Sequence, residues 1–481
     1  MSPPDTLLPP PEIAADRLPP EAASALLTPE EERPRINLRA QGEPWTRRRE
    51  AGLALRAILP REALAEWSPP AARPDPLALV AAAEQGRQEE LLPLRRERMA
   101  QGPFAFLRGS AGVMAMDLAS LPRTGIEVVA NGDAHISNFG LFGTPTGEVV
   151  LDLNDFDEVA VGPWEPDLLR LVASVAVAGG EAGLDAAARA SAVEEAVGGY
   201  ARTMRRLAPL GAAEVWAEAT PLDLRGAPGL LAHGAAHAVL REAVARARRR
   251  TSRRLLRQSG ERRVDGGWRI RQAPPVTTAI AEARREAVIS ALERYAETLP
   301  RERRYLLQRY RAVDVAHRVV GVGSVGLRAF LALLFGNSDD DALFLQVKEA
   351  APPAALPVLP RQPHDWRRHE GERVVHGQRL LQAVGDPFLG WTQVEGRPCY
   401  VRQMRNLKGD IALPWERPAA LHAFLSAYGA LLARAHARTG DAAAISGWCG
   451  GGHALGRALA AFAERYRTQV MADHAAFLEA G

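Results

Sequence analysis

The chain has 481 residues, 47% of them hydrophobic, and a net charge of +3 at pH 7. That supports two or three domains with sizeable cores, and so small a charge does not by itself call for nucleic acid as a partner. Two cysteines, Cys399 and Cys449, stand far apart and outside any C-x-x-C spacing, which excludes a disulfide framework and a cysteine zinc site; no stretch approaches the roughly 18 to 20 uncharged apolar residues that cross a bilayer. A soluble cytoplasmic protein without membrane contact is expected.

Residues 1 to about 45 are rich in proline, including Pro9, Pro10, Pro11, Pro19 and Pro20, with few large apolar residues, and read as a disordered tail. From about 46 to 120 the apolar spacing is helical, ending in Pro103-Phe104-Ala105-Phe106-Leu107-Arg108-Gly109 and an apolar stretch through Leu118. The period then changes. Ile126 to Ala130 reads as a strand, Asn131 to Asn138 as a polar loop, and Phe139 to Phe142 with Val149 to Leu153 as a hairpin around the Gly143 to Gly147 turn. An alanine- and arginine-rich block with helical spacing runs from Pro166 to about 300. Residues 311 to 350 return to strand character, 366 to 384 look helical, Cys399 to Met404 form a short strand, and the chain from about 416 is helical again. No solenoid or propeller period is present.

Of the 60 basic residues, 58 are arginine; the two lysines are Lys348 and Lys408. A composition so set against lysine keeps one mainly where a compact ammonium on a flexible stem serves better than a planar fork, as in a phosphate site. Lys348 ends the apolar run Leu343 to Val347, one strand and turn after Gly321-Val322-Gly323-Ser324-Val325-Gly326. The densest polar chemistry lies earlier, in Asn131-Gly132-Asp133-Ala134-His135-Ile136-Ser137-Asn138 and Asp152-Leu153-Asn154-Asp155-Phe156-Asp157-Glu158, which bracket the hairpin. Asp133 and Asn138 have the five-residue spacing by which kinase-like enzymes set an Asp beside the attacking hydroxyl and an Asn on the metal; the following hairpin there delivers an Asp-Phe pair to Mg²⁺.

Gly132-Asp133-Ala134-His135-x-x-Asn138 resembles the G-D-x-H-x-x-N loop of the aminoglycoside phosphotransferase and choline kinase-like branch. In that branch the Asp-Phe pair is followed by a glycine and a helix-opening Asp that braces the loop; Asp155-Phe156, Gly162 and Asp167 fall in that order, which selects Asp155 over Asp152. More closely, the span from Phe104 to about Met471 resembles the uncharacterised bacterial family called domain of unknown function 2252. The motifs that carry this are Pro103 to Gly109, Gly132 to His135, Asn138-Phe139-Gly140, Leu153 to Glu158, Val320 to Gly326, Leu345 to Ala350 and Gly377-Gln378-Arg379.

The kinase-like resemblance implies an α+β, two-lobed fold. Because the glycine loop and lysine follow the catalytic loop instead of preceding it, the fold is expected to be circularly permuted, with a large helical insertion. The expected division is a tail at 1–45, a catalytic-loop lobe at 46–310 with the insertion at about 180–300, a nucleotide-gripping β-rich lobe at 311–412, and helices at 413–481 packed on the catalytic lobe. Termini close in space make such a permutation tolerable.

The implied roles are Asp133 as base or hydroxyl-orienting group, with His135 beside it more as a histidine that holds the loop than as a metal ligand, and Asn138 and Asp155 as Mg²⁺ ligands. Gly321, Gly323, Ser324, Gly326 and Lys348 clamp the phosphates of ATP, and Gln403 and Met404 form the hinge that meets adenine. Glu372 is the nearest candidate for the lysine's usual glutamate partner. Arg108, Arg402, Arg405 and Lys408 are candidates for a substrate's anionic group.

The expected reaction is phosphoryl transfer from ATP to a small hydroxylated molecule, or nucleotidyl transfer by the same parts. Alternatives are a non-catalytic nucleotide-binding pseudokinase or scaffold, and a metal-dependent phosphohydrolase built on Asp133, His135, Asp152 and Asp155. The basic run from Arg246 to Arg257 reads more readily as a solvated helix face than as a grip on nucleic acid or a phosphorylated substrate. Cys449 and His453 in a glycine-rich loop read as loop residues more readily than as a thiol nucleophile.

Overall fold

The structure, a computed structural model, describes residues 42–218, 234–264, 266–319, 321–404 and 407–480. The tail expected at 1–45 therefore lies outside the described residues up to residue 41, as does Arg405, and Trp45 already opens a helix. The elements in order are α1 (Trp45–Ile58), α2 (Pro76–Ala82), α3 (Leu92–Ala100), α4 (Pro103–Gly109), α5 (Ala111–Leu118), β1 (Glu127–Ala130), β2 (Phe139–Gly143), β3 (Val149–Leu153) and β4 (Ala160–Pro163). Helices α6 (Glu165–Glu181), α7 (Ala186–Leu207), α8 (Ala212–Ala217), α9 (Gly234–Arg248) and α10 (Ser252–Ser259) follow, then β5 (Gly260–Arg262), β6 (Trp268–Ile270), β7 (Thr277–Thr278), α11 (Glu282–Tyr295) and α12 (Arg301–Leu307). The remainder is β8 (Arg311–Arg318), β9 (Ala329–Phe335), β10 (Ala342–Glu349), α13 (Glu370–Leu381), β11 (Gly390–Val394), β12 (Arg397–Gln403), β13 (Gly409–Asp410), α14 (Pro418–Ala437), α15 (Ala442–Cys449) and α16 (His453–Ala480). The class is mixed α+β, and every paired strand is antiparallel.

One core is helical. α6 is buried on nearly every residue from Glu165 to Gly179, so neighbours cover it all round. α7 and α14 cross at contact distance because each presents a glycine to the other's backbone: a Cβ on Gly429 would meet the Ala196 carbonyl oxygen at 1.9 Å, and one on Gly199 the Ser426 carbonyl oxygen at 2.0 Å. Gly429→Ala is expected to destabilise the fold by about 1–3 kcal/mol, the usual range for overpacking; a denaturant titration of the two proteins measures it. α15 approaches α1 in the same manner through Gly52 and Gly447, which brings an N-terminal helix against a C-terminal one.

The second core is a six-stranded sheet in the order β11-β12-β10-β9-β8-β7. β10 is buried along its whole length, and its side chains alternate between two clusters. Leu343, Leu345 and Val347 join α11 residues Val288, Leu292 and Tyr295; Ala342 and Phe344 join Leu255 and Leu256 of α10 on the other face.

The sheet therefore begins earlier than the expected boundary at 311. β7 is its edge strand, α10 and α11 cover its two faces, and β5 and β6 form a hairpin inside the block read as helical. Alanine- and arginine-rich periodicity marks a helix without saying which surface it covers. β4, paired with β1, is also absent from the sequence reading: four residues of Ala-Val-Gly-Pro carry too little pattern to mark a strand.

Candidate functional site

The loop from Asn131 to Asn138 is held from beneath. Asp167, in the first turn of α6, accepts hydrogen bonds from the backbone N–H of Asn131 (2.6 Å) and Gly132 (2.8 Å), and its carboxylate also complements the helix N-terminus. His436 Nε2 lies 3.1 Å from the same carboxylate, with its Nδ1 2.8 Å from the Tyr200 hydroxyl. Gly132 has φ +79°, and a Cβ there would meet the Glu158 carbonyl oxygen at 2.1 Å, so only glycine lets the two acidic segments close together. Asn131 Nδ2 then ties them by donating to the Asp155 carbonyl at 2.7 Å.

On this base, Asn138 donates Nδ2 to the Asp133 carbonyl at 2.6 Å, which leaves its side-chain oxygen for another partner. Asp133 is bound by Arg170 of α6 (2.7 Å), whose guanidinium also donates to the Leu107 carbonyl. Burial raises the Asp133 carboxyl above its ordinary value while Arg170 opposes it. His135 Nε2 lies 3.5 Å from Asp133; burial, with Arg170 and Arg108 nearby, pushes its pKa well down, so the imidazole is neutral.

The lysine reaches the second acidic segment. Even-numbered residues of β10 share one face, so beyond Phe344 that face carries Gln346 and Lys348, with Arg402 and Tyr400 directly opposite on β12. Lys348 pairs with Asp157, and the same carboxylate accepts from the Tyr400 hydroxyl (2.9 Å) and Ser324 Oγ (3.0 Å). Burial works against both charges, yet the pairing wins: Lys348 is held above its ordinary value and Asp157 below. This corrects the expected glutamate partner. Glu372 sits in the first turn of α13, 3.9 Å from His376, and a carboxylate from the hairpin takes its place.

The glycine loop lies between β8 and β9 and over this pair. Its backbone is fastened from outside: Arg87 Nη1 donates to the carbonyls of Gly323 (2.9 Å) and Val325 (2.6 Å), and the N–H of Gln88 to Gly326 (2.8 Å). Gly326 has φ +89°, and Gly323 lies against the Arg108 backbone. Gly321 is open to space.

Asp155 stands in the middle. Its side chain forms no hydrogen bond or ion pair among the described residues, and its buried Oδ1 is unpartnered. It nonetheless lies within electrostatic reach of Arg108, Lys348, Arg402 and Lys408. Arg402 donates to Gln346 at 3.0 Å and crosses the Tyr400 ring at 5.5 Å. Burial and the nearby Arg402 push Lys408 down to about 8, against the pull of Asp155 and Asp410. Four cations thus lie within electrostatic reach of a carboxylate that pairs directly with none of them.

Other expectations come apart. The backbone N–H groups of Gln403 and Met404 are already donated, to Asp386 (2.6 Å) and to the Phe344 carbonyl (2.8 Å), so this segment does not offer its amides to a base. Asp152 is fully buried and bound to Arg434 and the Ala383 N–H, away from the others. Among the described residues no three His, Cys, Asp or Glu side chains converge as a metal site of their own. Cys449 and His453, read as loop residues, instead end α15 and begin α16; Cys449 is buried with its thiol pushed up, in keeping with its not being read as a nucleophile.

Asp157, Tyr400 and Arg170 were not singled out from sequence; only the Asp-x-Asp alternation hinted at the first. Glu158 was not either. Burial, with Asp133 adding to it, pushes its carboxyl up to about 7 from 4.5. The native state therefore binds more protons than the unfolded chain between those values, and the group costs stability as pH rises through them, in full above about 7. Glu158→Gln should thus raise the melting temperature at pH 8 by more than at pH 5; equal gains at both would refute it.

A family model described as uncharacterised protein conserved in bacteria, domain of unknown function 2252, matches residues 87–480. No curated protein and no solved structure matches the chain.

Proposed function

Because the chain belongs to this bacterial family, whose description names no activity, function must come from the site, and we propose that the protein is an ATP- and Mg²⁺-dependent phosphotransferase of circularly permuted, kinase-like architecture acting on a small hydroxylated molecule. The observation that carries the reading is the buried, unpartnered Asp155 Oδ1 within reach of four cations. Mg²⁺ is held by one or two carboxylates with substrate phosphates completing its shell, a role that the unpartnered Asp155 side chain suits. The chain order also supports it: strand β8, glycine loop, β9, lysine strand β10, helix α13, β11 and β12 follow one another as in the gripping lobe of kinase-like enzymes.

In this reading Asp155 and the free side-chain oxygen of Asn138 would hold the metal, which neutralises charge on the transferring phosphoryl group. Lys348, released in part from Asp157, and the glycine-loop backbone hold the phosphates; Arg402 and Lys408 add positive charge. Asp133 orients the acceptor hydroxyl, its carboxylate aimed by Arg170 and made more basic than usual by burial. A cavity of about 600 Å³ lined by Arg108, Ile136, Ser137, Phe139, Asp410 and Trp415 opens beside the loop and suits the acceptor.

The test is calorimetric titration of ATP with and without Mg²⁺, followed by mass analysis of products from an acceptor panel. Mg²⁺-dependent binding by wild type, with Asp133→Asn still binding but no longer turning over, is the expected result. Absence of binding by wild type removes the reading. Product mass also separates phosphoryl from nucleotidyl transfer. One observation favours a second reading, a nucleotide-binding scaffold: Lys348 is engaged by Asp157 and the glycine loop is fastened by Ser324 and Arg87. Binding without turnover of any acceptor would select it.

A further inference from the structure

The basic run between α9 and α10 is folded into a cavity. Arg246, Arg249, Arg250 and Arg254, with Thr251 and Gln258, line about 520 Å³; among the described residues Leu255 is the sole apolar wall and none of the lining is acidic. The bend that makes it is fixed locally. Thr251 Oγ1 caps α10 by accepting from the Arg254 N–H at 3.3 Å, and the Arg250 carbonyl accepts from Leu407 N–H at 3.2 Å. The Arg250 guanidinium also donates to the Lys408 carbonyl at 3.3 Å, so the cavity adjoins the Asp155 site across one stretch of backbone.

Its charge is poorly compensated from within. Arg246 pairs with Glu242 on its own helix and Arg250 lies 3.6 Å from an exposed Asp410, but the side chains of Arg249 and Arg254 have no hydrogen bond or ion pair among the described residues. Arg253 and Arg254 occupy the first turn of α10, where the helix dipole disfavours cations, and no acidic residue stands there. Mutual repulsion and the dipole penalty would both be relieved by one bound anion.

We propose that this cavity binds a small molecule carrying two or more phosphate groups, at a site separate from the one around Asp155. Guanidinium forks match phosphate oxygens bidentately, and the N-terminus of α10 adds to the attraction. The volume lies within the range of small-ligand sites. A nucleic-acid track is disfavoured by the flanks, where Asp340 pairs with Arg253 and Asp339 with Arg262, interrupting the basic surface on the side of the β9–β10 turn. This inference stands independently of the reaction proposed at Asp155.

The test is calorimetry of inorganic triphosphate, without Mg²⁺, against the full chain. Arg249→Glu with Arg254→Glu is expected to weaken binding about tenfold or more, the loss of two charge-assisted contacts. Arg248→Glu with Arg257→Glu, nearby exposed arginines outside the cavity, is expected to change it by less than about twofold because exposed charges are screened. The altered residues are exposed, and a melting curve for each variant checks that it is folded. The proposal is overturned by absence of binding to wild type, by an equal effect of the two pairs of substitutions, or by a short single-stranded oligonucleotide that binds more tightly than triphosphate.

Discussion

Asp155→Asn should bind ATP equally with and without Mg²⁺ and lose turnover by roughly a hundredfold to a thousandfold, the scale seen when one preorganised electrostatic group is removed. The substitution keeps shape and leaves the hydrogen bond from Asn131 intact, because that bond ends on the Asp155 main-chain carbonyl. It does remove the carboxylate that the cations share. Lys408, already pushed down to about 8, would fall further without the pull of Asp155. Affinity measured with and without metal, together with near-ultraviolet circular dichroism to check the fold, tests this. Mg²⁺-dependent binding and turnover retained within a factor of about ten, some 1.4 kcal/mol, would remove Asp155 from the metal site.

The largest expected effect on stability is at Asp157. Asp157→Ala leaves the Lys348 ammonium, 2% exposed at its side chain, without its ion-pair partner and with only the unpaired Asp155 carboxylate within electrostatic reach, and strips the Tyr400 and Ser324 hydroxyls of their acceptor. Breaking a buried pair from one side costs about 3–5 kcal/mol, mostly from the charge left behind. Adding Lys348→Met to Asp157→Ala should therefore recover part of the loss, a coupling of roughly 0.5–3 kcal/mol in a double-mutant cycle by denaturant unfolding. A single-variant cost under about 1 kcal/mol, the value of an exposed pair, would contradict the burial described. In acid the pair holds longer than ordinary carboxylates. Lys348 keeps Asp157 below its usual range despite burial, so its contribution is present above about 4 and is lost only as pH falls through the lower, folded value.

What could be read in the sequence was carried by short-range spacing. The hairpin flanking Asn131 to Asn138, the strand pair after the glycine loop and the lysine at a strand end all appear where turn residues and alternation put them. The brace from Asp167 to the loop backbone also follows the order of the motif. The partner of Lys348 was not legible, because Asp157 lies 191 residues away and the pair exists only once β10 turns its even-numbered face to the hairpin. Arg170 escaped notice for a related reason: in a chain with 58 arginines, nothing local separates one that binds Asp133 from one on a solvated helix face. The extent of the sheet was hidden because α10 and α11 look like the helices before them. That the Gln403 and Met404 amides are not free for a base rests on an accounting that sequence does not contain, namely which amides are already donated.

The fastening of the glycine loop by Arg87 and Gln88 bears on where a working unit of this protein starts. Every acid, amide and lysine argued to act on a substrate lies at or after Arg108, so a gene fragment cut just ahead of the first motif would keep the whole chemical inventory. It would also discard the guanidinium that holds two carbonyls of the loop and the N–H that holds a third. The outer support of the glycine loop is thus encoded outside the motifs, near the start of the matched family span at residue 87, and expression boundaries drawn from the motifs alone would yield a chain whose loop has lost its outer hinge.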